Sequence, residues 1–295
     1  MPAARDHTRG PGAGPDGLHR ATRLLLVAFI CLTLVATNQL FVLATRTATL
    51  FSWTIQPPMS AAFLGASYAA GCVLSVLALR TRSWRDARTP LITVLVFAVL
   101  TLVATLLHLD RFHFGAPGLV ARSAAWIWLG VYLVVPIALL VVVVRQARAL
   151  SASPRDTATR TALPRWLLGL LGLQAVVLGL TAVGLFLAPS VTARWWPWML
   201  TPLTARMIAA WLAALAVAAL LSLRKHDVDR VRIPAVAYVV FGVLQLVALL
   251  LHGDVVAWGS AAAAVYVTAL VVALGTGVAG LLLAAHHRPR SGELR

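Results

Sequence analysis

The chain has 295 residues, of which 60% are hydrophobic and 12% charged, and its formal net charge at pH 7 is +16. Soluble globular domains are about 45–50% apolar and about 25% charged, so this composition excludes a soluble domain and is typical of a polytopic membrane protein. The positive charge does not indicate a nucleic-acid partner, because basic residues in the loops of a membrane protein fix its orientation. We expect the lipid bilayer to be the partner of this chain.

Eight apolar runs follow one another along the chain after a polar, Pro- and Gly-rich tail at 1–22, which is predicted to be disordered. Each run is long enough to cross the hydrocarbon core as a helix. The runs are 24–45, 59–79, 90–108, 123–144, 166–188, 203–223, 233–252 and 260–285. Four prolines are predicted at first helical positions, where the missing N–H costs nothing; they are Pro58, Pro90, Pro202 and Pro234.

Basic residues are distributed unevenly among the loops that join these runs. Twenty of the 25 lie in the two tails and in the loops after the second, fourth and sixth runs. The other five are Arg46, Arg111, Arg122, Arg194 and Arg206. Because basic loops stay in the cytoplasm, this asymmetry predicts that both termini are cytoplasmic.

The two halves of the chain align without a gap at an offset of 144 residues. Positions 58–110 and 202–254 share 22 identities in 53 positions, and the matches include prolines, arginines and a His-x-Asp element. Four spans per half would place both copies in the same orientation. The sequence therefore predicts an all-α bundle of eight transmembrane helices, built as two parallel tandem repeats at 23–144 and 166–286. A cytoplasmic linker at 145–165 and a tail at 287–295 complete this organisation.

The duplicated His-x-Asp element supplies the candidate site residues. His108 and Asp110 follow the third run, His252 and Asp254 follow the seventh, and all four are predicted at the outer ends of their helices. Arg206 lies near the start of the sixth run, where the first half has an alanine. Ionisable groups near a membrane span are costly and indicate function by default. We expect Arg206 to pair with Asp110 or Asp254, or with an anionic ligand or lipid headgroup.

Several uses of these residues remain open on sequence alone. Two His and two Asp brought together could bind Zn, Mn or Fe, and His108 and His252 could alternatively ligate a haem. A proton relay is a third use. The alternative to all three is structural, with each His-x-Asp anchoring its helix end in the interfacial region. No metal or cofactor is assigned by the spacing, because helix positions i and i+2 do not face the same way.

The stretches LLHLDRFHF, WIWLGVYLVVP and WPWMLTPLTAR resemble a group of uncharacterised bacterial multi-pass membrane proteins. The resemblance implies a bacterial cytoplasmic membrane location and no particular activity. No Walker A, GxGxxG, GxSxG or HExxH motif is present in the sequence, which favours a protein that is not an enzyme. The leading hypothesis is a protein that handles a small solute or ion through an outward-facing cavity between the repeats. The rivals are a haem- or metal-binding redox or sensory protein and a structural assembly subunit.

Overall fold

The computed structural model describes residues 17–81, 83–151, 162–225 and 228–286, and within these residues it contains helices and two isolated β-bridges but no β-strand. Eight of the described helices are long and apolar enough to cross a membrane. They are α1 (Arg20–Thr37), α2 (Pro58–Arg80), α3 (Trp84–Leu106), α4 (Leu119–Ser151), α5 (Arg165–Leu187), α6 (Pro202–Lys225), α7 (Val228–His252) and α8 (Ala261–His286). The predicted all-α bundle of eight spans is thereby confirmed. The predictions for 1–16, 152–161 and 287–295 lie outside the described residues.

Two of the four prolines predicted at first helical positions do begin a helix, and the other two do not. Pro58 and Pro202 are the first residues of α2 and α6, as predicted. Pro90 and Pro234 instead lie inside α3 and α7, so the prediction of first helical positions was wrong for them. Hydropathy marks the apolar run, whereas the helix continues through polar residues for as long as its backbone hydrogen bonds can form.

The four most buried helices, α2, α3, α6 and α7, occupy the centre of the bundle, and α1, α4, α5 and α8 lie at its periphery. Within the first half α1 packs on α2 and α3 on α4, and within the second half α5 packs on α6 and α7 on α8. The halves meet where α2 packs on α7 and α3 packs on α6. Each central helix therefore contacts both a peripheral helix and the other half.

Buried polar contacts join the halves between the central helices. The Gln245 side-chain amide of α7 donates to the Phe63 carbonyl of α2 at 3.1 Å and accepts from the Tyr266 hydroxyl at 3.0 Å. The Trp198 indole N–H donates to Ser60 Oγ at 2.9 Å. Such bonds are favoured between membrane helices because lipid offers polar groups no alternative partner.

The backbones of α1 and α2 come close together where α1 ends. The π-helical segment Asn38–Val42 extends α1, and a Cβ placed on Gly65 of α2 would lie 2.5 Å from the backbone nitrogen of Phe41 in this segment. Only glycine allows the two backbones to come this close.

Alternate connections lie at one end of the bundle, since each helix reverses the direction of the last. The connections at 38–57, 107–118, 188–201 and 253–260 share an end that we call the tryptophan end, and it carries Trp53, Trp195, Trp196, Trp198 and Trp258. Trp195 is exposed, whereas Trp53 and Trp198 are buried among other aromatic rings. The candidate site residues also lie at this end.

Candidate functional site

The two His-x-Asp elements have the same local backbone conformation. His108 follows the end of α3 with φ −138° and ψ 33°, and a 3-10 turn at Leu109–Arg111 comes next. His252 ends α7 with φ −137° and ψ 20°, and a 3-10 turn at Gly253–Val255 follows it. In both copies the histidine stands where a membrane-spanning helix changes into a tight turn.

The ring of His108 uses both of its nitrogens in hydrogen bonds. Nδ1 lies 2.7 Å from the carbonyl oxygen of Leu107, and Nε2 lies 2.8 Å from Nη1 of Arg206. A carbonyl only accepts and a guanidinium only donates. Nδ1 must therefore carry the proton and Nε2 must accept, which makes His108 a neutral imidazole in a defined tautomer.

Arg206 joins three parts of the chain at the tryptophan end. From α6 it reaches His108 after α3, and its Nε donates to the Phe186 carbonyl near the end of α5 at 3.0 Å. The predicted pairing of Arg206 with Asp110 or Asp254 is not what the structure shows. Asp110 instead forms an ion pair with the adjacent Arg111, with Nε and Oδ2 2.9 Å apart, and both side chains are exposed.

The surroundings of His108 keep its ring uncharged. Partial burial is the largest cause that lowers the pKa of His108 below its ordinary value, and the positive charge of Arg206 is the next. Asp110 acts in the opposite direction, and Arg111 adds a smaller lowering effect. The lowered pKa agrees with the tautomer that the hydrogen bonds require.

A polar cavity of about 480 Å³ lies beside this cluster, between the two halves of the chain. The first half contributes a wall with a histidine, an ion pair and a threonine hydroxyl, and the second half contributes the start of α6. The lining residues are Trp53, Thr54, His108, Asp110, Arg111, Thr201, Pro202 and Leu203. The indole N–H of Trp53 is shielded from solvent and has no hydrogen-bond partner among the described residues. The cavity thus presents one acidic and one basic side chain, while the hydroxyls of Thr54 and Thr201 donate to His113 Nε2 and Thr204 Oγ1.

His252 and Asp254 have a different environment from their first-half counterparts. Neither side chain forms a hydrogen bond or an ion pair with another described residue, and neither lines the polar cavity. The described parts of the chain contain no group of three or more His, Cys, Asp or Glu side chains arranged to hold a metal. Because both nitrogens of His108 are already bonded, its ring offers no free lone pair to a metal or a haem. A joint site of His108 and His252 stays a prediction.

Of the predicted site residues, the structure brings together His108, Arg206 and Asp110 around one cavity. Sequence reasoning missed Thr54 and Thr201, whose hydroxyls line it. Their position at the tryptophan end, just before α2 and α6, is the signal that could have suggested them. No protein-family model, curated protein or solved structure matches the chain.

Proposed function

We propose that this membrane protein binds a small anionic solute in the polar cavity at the tryptophan end, as the first step of handling that solute across the bilayer. The cavity is the observation that carries the proposal, because residues of both halves line it. Polar volume between packed membrane helices is expensive to maintain unless a ligand or water uses it. A cleft with a few convergent polar groups is the usual form of a small-molecule site.

The charge of the cavity favours an anion over a cation. Arg111 lines the cavity, and Arg206 stands behind His108. The hydroxyls of Thr54 and Thr201 donate to His113 Nε2 and Thr204 Oγ1, so they present oxygen lone pairs rather than free donors. Asp110 is the only carboxylate among the described residues that line the cavity. A carboxylate or phosphate group would take the place of Asp110 as the partner of Arg111, in the bidentate geometry that guanidinium groups favour.

The proposal includes two parallel repeats of four helices, related by a pseudo-two-fold axis along the membrane normal. The 144-residue offset in the sequence supports it, as do the matching backbone angles at His108 and His252. The pairing of α2 with α7 and of α3 with α6 supports it too, because a two-fold axis would exchange these contacts. Under this arrangement the cavity lies at the junction of the repeats.

The proposed orientation has both termini in the bacterial cytoplasm and the tryptophan end facing outward. The distribution of basic residues supports this orientation: 20 lie in the tails and in the loops on their side, and five lie toward the tryptophan end. A reporter enzyme that works only in the cytoplasm, fused after Arg295, should be active. Activity of a periplasm-dependent reporter at the same position would contradict the orientation.

The binding proposal is tested on purified protein in lipid nanodiscs with acetate, succinate and inorganic phosphate as probes. At least one probe should raise the unfolding temperature in a saturable way, because a ligand that binds only the folded state stabilises it by mass action. Arg111→Gln should weaken this effect about ten-fold or more, as expected when a charge-assisted pair is lost.

The matched control is Arg194→Gln, which removes an exposed arginine at the same end that does not line the cavity. It should leave probe binding unchanged. Failure of all three probes to stabilise the wild type, or equal losses in the two variants, would count against an anion site in this cavity.

A further inference from the structure

An apolar groove of about 290 Å³ opens on the side of the second half, between its two peripheral helices. α5 packs mainly on α6 and α8 packs mainly on α7, so α5 and α8 make few contacts with each other. Val177 of α5 and Val265 of α8 stand on the two rims and are 41% and 64% exposed. Because both rim helices are membrane-spanning in length and composition, the groove opens toward lipid chains and not toward water.

Three of the four hydroxyl groups that line the groove are satisfied by the protein, and the fourth, on Thr192 at the tryptophan end, has no side-chain hydrogen bond among the described residues. Tyr238 donates to the Leu215 carbonyl at 3.2 Å, Tyr266 donates to Gln245, and Thr181 donates to the Val177 carbonyl at 2.8 Å. The remaining lining in the depth of the groove is aliphatic or aromatic. This part of the groove therefore suits a hydrocarbon chain and offers nothing to a polar group.

The groove differs at the tryptophan end, where Trp196 lines it. The indole nitrogen of Trp196 is shielded from solvent and has no hydrogen-bond partner among the described residues. A buried N–H without an acceptor is costly, so it indicates a partner that the protein itself does not supply. Indole rings at this level of a membrane protein lie beside the headgroup region, where the ester carbonyls of phospholipids are found.

The first half has a comparable groove of about 370 Å³ between α1 and α4, lined by Tyr68, Trp128 and Tyr132 among others. The hydroxyls of Tyr68 and Tyr132 bond each other at 2.8 Å. At its tryptophan end stand Phe51 and Ser52, in the place that Trp196 and Pro197 have in the second groove. Phenylalanine has no N–H, so only the second groove combines an apolar depth with an unpaired donor.

We propose that the groove between α5 and α8 binds one acyl chain of a bilayer phospholipid, and that the Trp196 ring then turns its shielded Nε1 toward the groove and donates a hydrogen bond to the ester carbonyl of that lipid. The polarity of the groove matches this ligand along its whole length, since the unpaired Trp196 Nε1 and Thr192 hydroxyl lie at one end and the apolar lining lies below them. This lipid site is separate from the polar cavity and does not depend on an anionic solute binding there.

The test uses a phosphatidylglycerol with a diazirine on one acyl chain, incorporated at low mole fraction into nanodiscs that contain the full chain. After irradiation, cross-links are mapped by mass spectrometry. Labelling should concentrate on α5 and α8 around the groove and should be competed by excess unlabelled lipid. Labelling spread evenly over the lipid-facing surfaces of α1, α4, α5 and α8 would overturn the proposal, because it would show only annular lipid.

Two variants and a control sharpen the result. Ala269→Phe fills the groove and should abolish the labelling that excess unlabelled lipid competes away. Val271→Phe is the control: it adds a ring of the same size to α8 at an exposed position outside the groove, and this labelling should remain. Trp196→Phe keeps an aromatic ring but removes the donor. The concentration of unlabelled lipid needed to compete the labelling should then rise about five-fold, which corresponds to the loss of one ordinary hydrogen bond. Equal labelling in Ala269→Phe and Val271→Phe would overturn the proposal even if Trp196→Phe proved unstable.

Discussion

Arg206 connects α6 to the ends of α3 and α5 through one planar side chain. Arg206→Met keeps the length of the side chain but removes its donors to His108 and to the Phe186 carbonyl. We expect the free energy of unfolding to fall by about 1.5–3 kcal/mol, because hydrogen bonds from a charged group are worth that much when partly buried. Thermal unfolding in detergent measures the loss.

The control for this prediction is Arg194→Met, which removes an exposed arginine from the same end of the bundle. It should change stability by less than about 0.5 kcal/mol, as surface substitutions usually do. A double-mutant cycle with His108→Ala should give a coupling energy of about 0.5–3 kcal/mol between the two side chains. Additive effects of the two substitutions would show that the contact does not stabilise the protein.

His108 makes the stability of the protein depend on pH in a defined direction. Burial and Arg206 lower its pKa below the ordinary 6.5 in the folded protein. As the pH falls below 6.5 the unfolded chain therefore takes up a proton that the folded chain refuses, and stability decreases until the lowered pKa is passed. The wild type should lose more thermal stability between pH 7.5 and pH 5 than His108→Gln, which can still accept from Arg206. Parallel pH profiles would contradict this expectation.

The sequence suggested five site residues, of which His108, Asp110 and Arg206 lie together whereas His252 and Asp254 do not line the cavity. His108, Asp110 and Arg206 stand out because charged and ionisable groups are rare in such an apolar chain. The partner of Arg206 could not be predicted, because it depends on α6 packing beside α3. Aligning the two halves of the sequence indicates which positions correspond but not which are close. Asp110 was already neutralised by its neighbour Arg111, an interaction that leaves Arg206 to find uncharged acceptors.

At the scale of helices, the contact of α1 with α2 depends on the absence of a side chain at Gly65. Gly65→Ala would place a methyl group 2.5 Å from the Phe41 nitrogen, so the two backbones must separate. We expect a loss of about 1–3 kcal/mol, the usual cost of overpacking. Thermal unfolding in detergent again provides the measurement.

Gly130→Ala is the matched control in α4, since a Cβ at Gly130 would have nothing within 4 Å. It should be neutral or slightly stabilising, because alanine favours a helix over glycine by roughly 0.5–1 kcal/mol. If Gly65→Ala behaved like Gly130→Ala, the close approach of α1 and α2 would not contribute to stability.

The sequence predicted that each spanning helix exists, but it did not predict where each helix begins and ends. Each span is marked by an apolar run that could form nothing else in a bilayer, because its backbone groups must bond internally. The ends continue past these runs wherever polar residues can keep the helix going in the interfacial region. α3 therefore begins at Trp84, ahead of its apolar run, and α4 ends at Ser151, beyond the last residue of its own run at 144.

For the whole molecule, the packing predicts that the two halves can assemble as separate chains. Cutting the chain between residues 151 and 162 leaves each half with four spans and leaves the contacts of α2 with α7 and of α3 with α6 to hold them together. The co-expressed halves should co-purify, with Gln245→Leu reducing the yield because it removes a buried bond to Phe63. Halves that fail to associate even with Gln245 present would show that the covalent link is needed for assembly.

The unusual length of α4 carries it beyond the hydrocarbon core, because its last residues are polar. α4 has 33 residues, about 50 Å at 1.5 Å per residue, while α1, α5 and the other peripheral helix are shorter. A hydrocarbon core of about 30 Å can accommodate so long a helix only by tilt or by protrusion. Thr22 in the first turn of α1 donates a hydrogen bond to Gln146 near the end of α4. The apolar run of α4 ends at 144, so this bond holds α1 and α4 together just beyond the apolar part of the helix.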